Sequence, residues 1–405
     1  MITDPVFFPL AVNFNFRFRQ IHCLINSNSI EKTGINIPWE LNKKKLSGEY
    51  IAGFVQADGS FSVKLAGKTS KNKQYLHLSP VFTIVQNQKY KDLILEIKKK
   101  FGDVGHWRLD KKDKTIRYQV TSQNDLLNII IPFFMKHQLR SGKLLSFLHF
   151  KYIIQVMSTR AHWTDKKILL SLIVIASNLN PLGKLGNKIR YLTTQEQKYV
   201  INNVQPEGVD ISKLTDSIKN FVKNKLTLDF IHGLFDGDGN LSVSLIKSST
   251  SKLAPSVSLK DAAVDKNKIF LKTNFTIAQD VHNISLLDEI KSYFNGTGFI
   301  YKLNNHCSIY NTGSRSDIMS VIIPKMTGKD SKELRLNFNI EELKLPLIKY
   351  NKIYFTYKIL EYGFVNLSEN KLVLNEIIRL SYYVIKNSDN LTLELYAKEM
   401  NRKLK

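Results

Sequence analysis

The sequence predicts an α+β fold in which one helix-and-sheet unit is used twice, and three observations carry that prediction. Two stretches, 50–63 (YIAGFVQADGSFSV) and 230–243 (FIHGLFDGDGNLSV), align without a gap and share Ile51/Ile231, Gly53/Gly233, Asp58/Asp238, Gly59/Gly239, Ser62/Ser242 and Val63/Val243. In each, the apolar spacing changes from helical to alternating after the glycine. A second gapless match, 82–105 against 275–298, is identical at 10 of 24 positions, a pattern of duplicated domains rather than of a solenoid.

Residues 1–45 read as an extension that ends in a basic run at 43–45. The first repeat, 46–145, opens with a helix that Ser47 caps and Glu49 supports with negative charge in its first turn. Gly59 stands where a left-handed C-cap is expected. Phe61, Val63 and Leu65 then face one side of a strand, with Ser60, Ser62 and Lys64 on the other. The lysine-rich 66–75 reads as a hairpin tip, 78–86 as the returning strand, and 89–101 as an amphipathic helix with Leu93, Ile94, Ile97 and Phe101 on one face. A second hairpin (107–109 and 115–121) and a helix near 125–135 complete the unit.

Residues 146–225 form a helical connecting segment read as packing. The second repeat, 226–342, starts with Thr227 as cap, Asp229 in the first turn and Gly239 as the expected left-handed residue. Leu241, Val243 and Leu245 alternate with Asn240, Ser242 and Ser244, and the register of the repeats resumes from Asp125/Asp317 to Pro132/Pro324. The first hairpin of this repeat is 13 residues longer, since 58 to 82 spans 24 positions and 238 to 275 spans 37. We expect the extra residues, within 248–266, to form an arm that reaches farther along a bound partner. Residues 343–405 read as a helical tail.

Small residues lie one turn apart in both capped helices, Gly53 with Ala57 and Gly233 with Gly237. Such a stripe lets two helix backbones approach closely, so the copies are expected to pack on each other. Asp58 and Asp238 then meet at two helix C-termini, where the macrodipole already disfavours negative charge. A divalent metal with oxygen ligands would neutralise them, and a metal held between carboxylates and a phosphate is equipped for phosphodiester hydrolysis.

The chain of 405 residues carries 59 Lys and Arg against 35 Asp and Glu, a formal net charge of +24, which points to a polyanionic partner. No apolar run approaches the roughly 20 residues of a membrane-spanning helix, which leaves nucleic acid ahead of a membrane surface. Cys23 and Cys307 are far apart and form no Cys-x-x-Cys pair, so no disulfide framework or zinc knuckle is expected. The sequence around Asn304, Asn305 and His306 reads as a hairpin turn rather than a nuclease box.

IAGFVQADG and IHGLFDGDG resemble the two signature helices of the LAGLIDADG homing endonucleases, in the single-chain form that carries both motifs. The resemblance implies two pseudo-symmetric αββαββα halves packed through those helices. It places the catalytic metal, Mg2+, at Asp58 and Asp238, with Ala57 and Gly237 beside them. The first motif departs from the second at Gln56, where the other has Asp236. For Gln86 and Gln279 two readings stand side by side: a turn or cap at a strand end, or, by resemblance, a residue that orders water beside the metals. The same likeness offers Lys143 in the first half and Lys329 or Lys332 in the second as phosphate-stabilising bases.

Strands laid in the major groove of double-stranded DNA would present Ser60, Ser62, Lys64, Arg117 and Gln119 from one half and Asn240, Ser242, Ser244, Lys272 and Asn274 from the other. The expected activity is site-specific cutting of both strands by a monomer, in support of intron mobility. The alternative is an RNA maturase that binds its host intron without cutting. Abundant Lys, Asn and Ile fit a gene of an AT-rich organelle genome, the mitochondrion ahead of the chloroplast, whose product needs no targeting address.

Overall fold

The computed structural model describes residues 46–70, 73–179, 189, 192–203, 224–247, 269–330, 333–334, 349–362, 367–385 and 391–404. All of them belong to one compact unit, Lys44–Lys405. The expected extension 1–45, the elongated arm within 248–266 and Lys332 lie outside the described residues.

In the first half the order is α1 (Gly48–Asp58), β1 (Gly59–Ser70), β2 (Lys73–Asn87), α2 (Lys91–Lys100), β3 (His106–Asp110), β4 (Thr115–Val120) and α3. Helix α3 is continuous through Gln123–Asp125, Leu126–Ile130 and Ile131–Lys136, and its middle part is a wider π turn. Pro132 follows that turn, and the wider spacing accommodates a ring that cannot donate to the preceding turn. Then come α4 (Ser141–Ser158), α5 (Ala161–Thr164), α6 (Lys166–Asn178) and α7 (Thr194–Asn203). The boundary expected at residue 145 thus falls inside α4.

The second half repeats the plan with α8 (Leu228–Asp238), β5 (Gly239–Lys247), β6 (Ile269–Asp280), α9 (Ile284–Tyr293), β7 (Phe299–Asn304), β8 (Cys307–Thr312) and α10. Helix α10 joins Arg315–Asp317, the π turn Ile318–Ile322 and Ile323–Thr327. The chain ends in α11 (Tyr350–Glu361), α12 (Lys371–Ile385) and α13 (Leu393–Leu404).

Each half holds a four-stranded antiparallel sheet, ordered β1-β2-β4-β3 and β5-β6-β8-β7. The inward faces meet the helices. Phe61 sits among Phe82, Phe134, Phe147 and Phe150 at ring separations of 5.3–5.5 Å, while Phe275 packs on Phe235 and Phe294 in the other half. The stretch read as a hairpin tip is mostly paired strand, since Ser70 faces Lys73 and Gly67 faces Leu76. A ladder needs only backbone groups, so its lysine-rich composition did not mark it.

Helices α1 and α8 cross through their glycines. A methyl added to Gly53 would overlap the Phe230 carbonyl, and one added to Gly233 would overlap the Tyr50 carbonyl. Ser47 and Thr227 cap these helices, their hydroxyls accepting from Tyr50 N at 3.1 Å and Phe230 N at 3.2 Å. The glycines at the other end differ from expectation. Gly59 (φ −87, ψ 154) and Gly239 (φ −83, ψ 151) are extended, not left-handed. The helix hands over directly to the strand, and glycine is required for space: a Cβ would collide with Val55 at one position and Phe235 at the other. Among the described residues no helix is long and apolar enough to cross a membrane.

Candidate active site

The crossing of α1 and α8 sets the last residue of each, Asp58 and Asp238, at the junction of the halves. A methyl on Gly237 would touch the Ala57 Cβ and lie 2.9 Å from Asp58 Oδ2, so the first carboxylate leans against the second helix. Gln86, at the end of β2, donates from Nε2 to Asp58 Oδ2 at 2.7 Å. Gln279 donates to Asp238 Oδ2 in the same way, and its own Oε1 accepts from Asn283 Nδ2 at 3.1 Å. Gln86 makes a turn contact as well, its Oε1 accepting from Asn87 N at 2.8 Å, so the strand-end cap and the carboxylate contact are made by one side chain.

Two ammonium groups flank the pair. Lys143, in the first turn of α4, donates from Nζ to the Gly59 carbonyl at 2.6 Å. Lys349, the residue before α11, donates to the carbonyls of Phe235 (3.0 Å), Gly237 (2.9 Å) and Gly239 (2.6 Å). Burial, then the neighbouring Asp238, push the Asp58 carboxyl up to about 7 against the pull of Lys349 and Lys143. Burial likewise carries Asp238 to about 6, opposed by Lys143, Lys349 and the Gln279 hydrogen bond. Repulsion is mutual, so both rises belong to a pair that holds protons when no cation is present. Burial lowers the Lys143 and Lys349 ammonium groups, and the carboxylates oppose that fall.

Lys329 is not in this place. Its neighbour Gly328 packs toward Leu228, the first residue of α8, whereas Asp238 is the last. Eleven residues at about 1.5 Å rise separate those ends by roughly 15 Å. The ammonium that lies at the end of α8 is that of Lys349, in the segment read as a structural tail. Its backbone N–H donates to Asp236 Oδ1 (2.9 Å), as Arg140 N donates to Gln56 Oε1 (2.9 Å). By that register the twin of Lys143 is Lys352, which instead reaches Asn240 Oδ1 at 3.0 Å. Twin ammonium groups therefore arrive from positions one helical turn apart. Asp236, itself buried, also accepts from the Tyr50 hydroxyl at 2.7 Å across the interface.

The residues named for a groove face share one side of each sheet. Ser60, Lys64, Asn240, Ser244 and Lys272 are exposed, and Ser62, Arg117, Ser242 and Asn274 are half-buried. Gln119 departs from expectation: it is only 8% exposed and donates to Thr83 Oγ1 at 3.1 Å, so its amide is spent within the sheet. His306 lies in the β7–β8 turn, its N–H bonded to Asn304 Oδ1 at 2.8 Å, and Cys307 is a free thiol.

Among the described residues there is no cluster of three or more His, Cys, Asp or Glu side chains. The donor set is two carboxylates with main-chain carbonyls, which suits a hard divalent cation that keeps much of its water shell and does not suit zinc. Two half-buried carboxylates at one seam, each made reluctant to ionise by burial, are the arrangement that such an ion would relieve.

Known proteins resemble this chain at several levels. The family described as LAGLIDADG endonuclease matches it twice, over residues 51–154 and 231–338. The probable intron-encoded DNA endonuclease 1 of Mycosarcoma maydis is 28% identical over 276 residues, 68% of this chain and 90% of that protein. Among solved structures, I-SmaMI bound to an uncleaved DNA target in the presence of calcium ions superposes with a TM-score of 0.60 at 24% identity, over 83% of this chain and 98% of that one. The I-LtrWI LAGLIDADG homing endonuclease bound to target DNA gives 0.62 at 22% identity, over 85% and 98%. At these identities the structural likeness is one of fold.

Proposed function

The chain belongs to the LAGLIDADG endonuclease family, and from that premise we propose that it is a monomeric, site-specific homing endonuclease that cuts both strands of a DNA duplex. The observation that carries this reading is the pair Asp58 and Asp238, each held by a glutamine and faced by a half-buried lysine, at the seam between two polar sheets. One carboxylate serves each strand. The names of the relative and of the DNA-bound structural neighbours support a DNA substrate.

The Gly237 carbonyl, expected beside the cation, is engaged by the Lys349 ammonium. Asp58 and Asp238, with the Ala57 carbonyl, would hold that divalent cation, which we take to be Mg2+. When bound, it supplies acidification of an attacking water and stabilisation of the leaving oxygen. The protein's own share is positional. Gln86 and Gln279 fix the carboxylate rotamers, each amide being held in turn at its oxygen by Asn87 N and Asn283 Nδ2. Lys143 and Lys349, held by main-chain carbonyls, place positive charge where a phosphate gains negative charge in the transition state. Net charge of +24 draws the duplex in.

The maturase alternative is disfavoured, because RNA binding alone gives no reason to hold two mutually repelling, half-buried carboxylates together in a basic protein. We assign the protein to the mitochondrion on its AT-rich codon signature and the intron-encoded naming of its fungal relative. The test uses a plasmid bearing the intronless junction of the host gene. Asp58→Asn and Asp238→Asn should each abolish Mg2+-dependent double-strand cutting while leaving duplex binding within a few-fold of wild type. Full cutting by the double variant would sink the assignment.

A further inference from the structure

The two sheets carry different chemistry on the face that the proposed function turns toward DNA. In the first sheet, Val85, Arg117 and Arg108 are partners across β2, β4 and β3. The matching row of the second sheet is Ala278, Ile309 and Tyr301 across β6, β8 and β7. One row along, His106 of β3 has Phe299 of β7 as its counterpart. The topology is the same, so two guanidinium groups in one half are replaced by an aliphatic group and a ring in the other.

Neither arrangement serves the fold. Cross-strand neighbours lie about 5 Å apart, and like charges placed directly opposite destabilise a sheet. Arg108 and Arg117 nevertheless face each other, and neither has an ion-pair partner among the described residues. In the second sheet, Phe299 is 54% and Tyr301 37% exposed, with ring centroids 5.8 Å apart, and Phe270 on the same face of β6 is 49% exposed. An edge strand that leaves aromatic groups in water is an association hazard unless something covers it. Exposed apolar groups set among Lys272, Asn274 and Asn240 on the face of a strongly basic protein are matched by a major groove whose floor carries methyl groups.

We propose that the two half-sites of the target are read by different chemistry at this row: guanines by Arg108 and Arg117, and thymine methyls by Tyr301, Ile309 and Phe299. Guanidinium pairs with guanine O6 and N7, and apolar side chains pack on the thymine methyl, each being the usual major-groove partner of the other. The inference rests on the DNA-binding reading of the sheets. It assigns the target an asymmetry of base composition, guanine-bearing on the first-half side and thymine-bearing on the second.

The test starts from a pool of random-sequence duplexes, from which the full chain with Mg2+ omitted retains its preferred binders. Sequencing should return guanine enriched in one half and thymine at the mirror positions of the other. Replacing those thymines by uracil in a retained duplex removes only the methyl groups. Binding should weaken about fourfold per methyl touched, the factor that about 0.8 kcal/mol of apolar burial represents. Replacing guanine by 7-deazaguanine in the other half should weaken binding there, and the Tyr301→Arg, Ile309→Arg double variant should turn the thymine preference into guanine. Equal affinity for uracil and thymine duplexes, or one composition in both halves, would overturn the proposal. Failure to enrich any duplex would instead remove the DNA-binding reading itself, and the proposal with it.

Discussion

Substituting Asp58 by Asn should stabilise the metal-free protein, and by an amount that grows with pH. Asp58 titrates near 3.8 in the unfolded chain and at about 7 in the folded one, because burial and Asp238 disfavour its charge. At 1.36 kcal/mol per decade of affinity, that rise places a limit of about 4 kcal/mol on the cost of ionising it in the folded state. Water reaching the half-buried carboxyl screens part of this, which leaves about 2–3 kcal/mol. The sign follows from proton linkage. The folded state binds the proton more tightly than the unfolded state, so this contribution to stability is full below about pH 4 and is lost as pH rises to about 7. Asn cannot ionise and has no such slope. Urea unfolding in the presence of a chelator, at pH 5 and pH 8, should show the variant gaining about 1 kcal/mol on wild type between those values, because the loss begins near pH 4 and more than half of it is complete by pH 5. Excess Mg2+ should narrow or reverse the gap by stabilising only the protein with both carboxylates. A wild-type protein that holds its own against the variant from pH 5 to pH 8 without metal would refute the account of a strained pair.

Three other outcomes are expected. Lys349→Met should lower the single-turnover cleavage rate about a hundredfold, the usual cost of removing one preorganised charge donor, while Lys329→Met stays within about twofold; the reverse order would restore Lys329 to the site. Gly233→Ala places a methyl against the Tyr50 carbonyl and the Phe54 N–H, backbone that cannot step aside. A loss of roughly 3 kcal/mol or more is expected in the urea midpoint, and an unchanged midpoint would deny the close crossing. Affinity for any duplex should fall at least about tenfold between ~50 and ~200 mM salt, as condensed counterions are displaced, and a flat titration would count against a groove contact.

Much of this molecule was legible because it is written twice. A capped apolar helix with small residues one turn apart states its partner as well as its shape, and duplication placed Asp58 opposite Asp238 before any coordinates existed. Gln86 and Gln279 were legible as a matched pair, though only the fold shows their amides on the carboxylates. Lys349 was not, because it follows Asp238 by 111 positions where Lys143 follows Asp58 by 85. Register was lost between the halves, and the lysine also sits one turn earlier on its helix. Gly59 and Gly239 misled for another reason: a glycine after a helix reads as a turn, and nothing local distinguishes a need for space from a need for positive φ. The pairing of Arg108 with Arg117 depends on strand register, which a single strand does not reveal.

The hydrogen bond from Tyr50 to Asp236 joins two positions that the repeats do not share. Tyr50 has Phe230 as its twin, and Asp236 has Gln56. If two second halves came together through the same helices, each would bury Asp236 against a phenyl ring with no hydroxyl to meet it. Two first halves would turn Tyr50 toward Gln56, whose Oε1 accepts from Arg140 N and whose Nε2 has no hydrogen-bond partner, so that pairing carries no such conflict. The second half therefore fits the first better than it fits itself, and losing one hydrogen bond to a buried carboxylate that keeps its bond from Lys349 N costs about 1–3 kcal/mol. The seam is in this way asymmetric between two similar halves: cut between them, the second half should re-pair with the first in preference to a copy of itself.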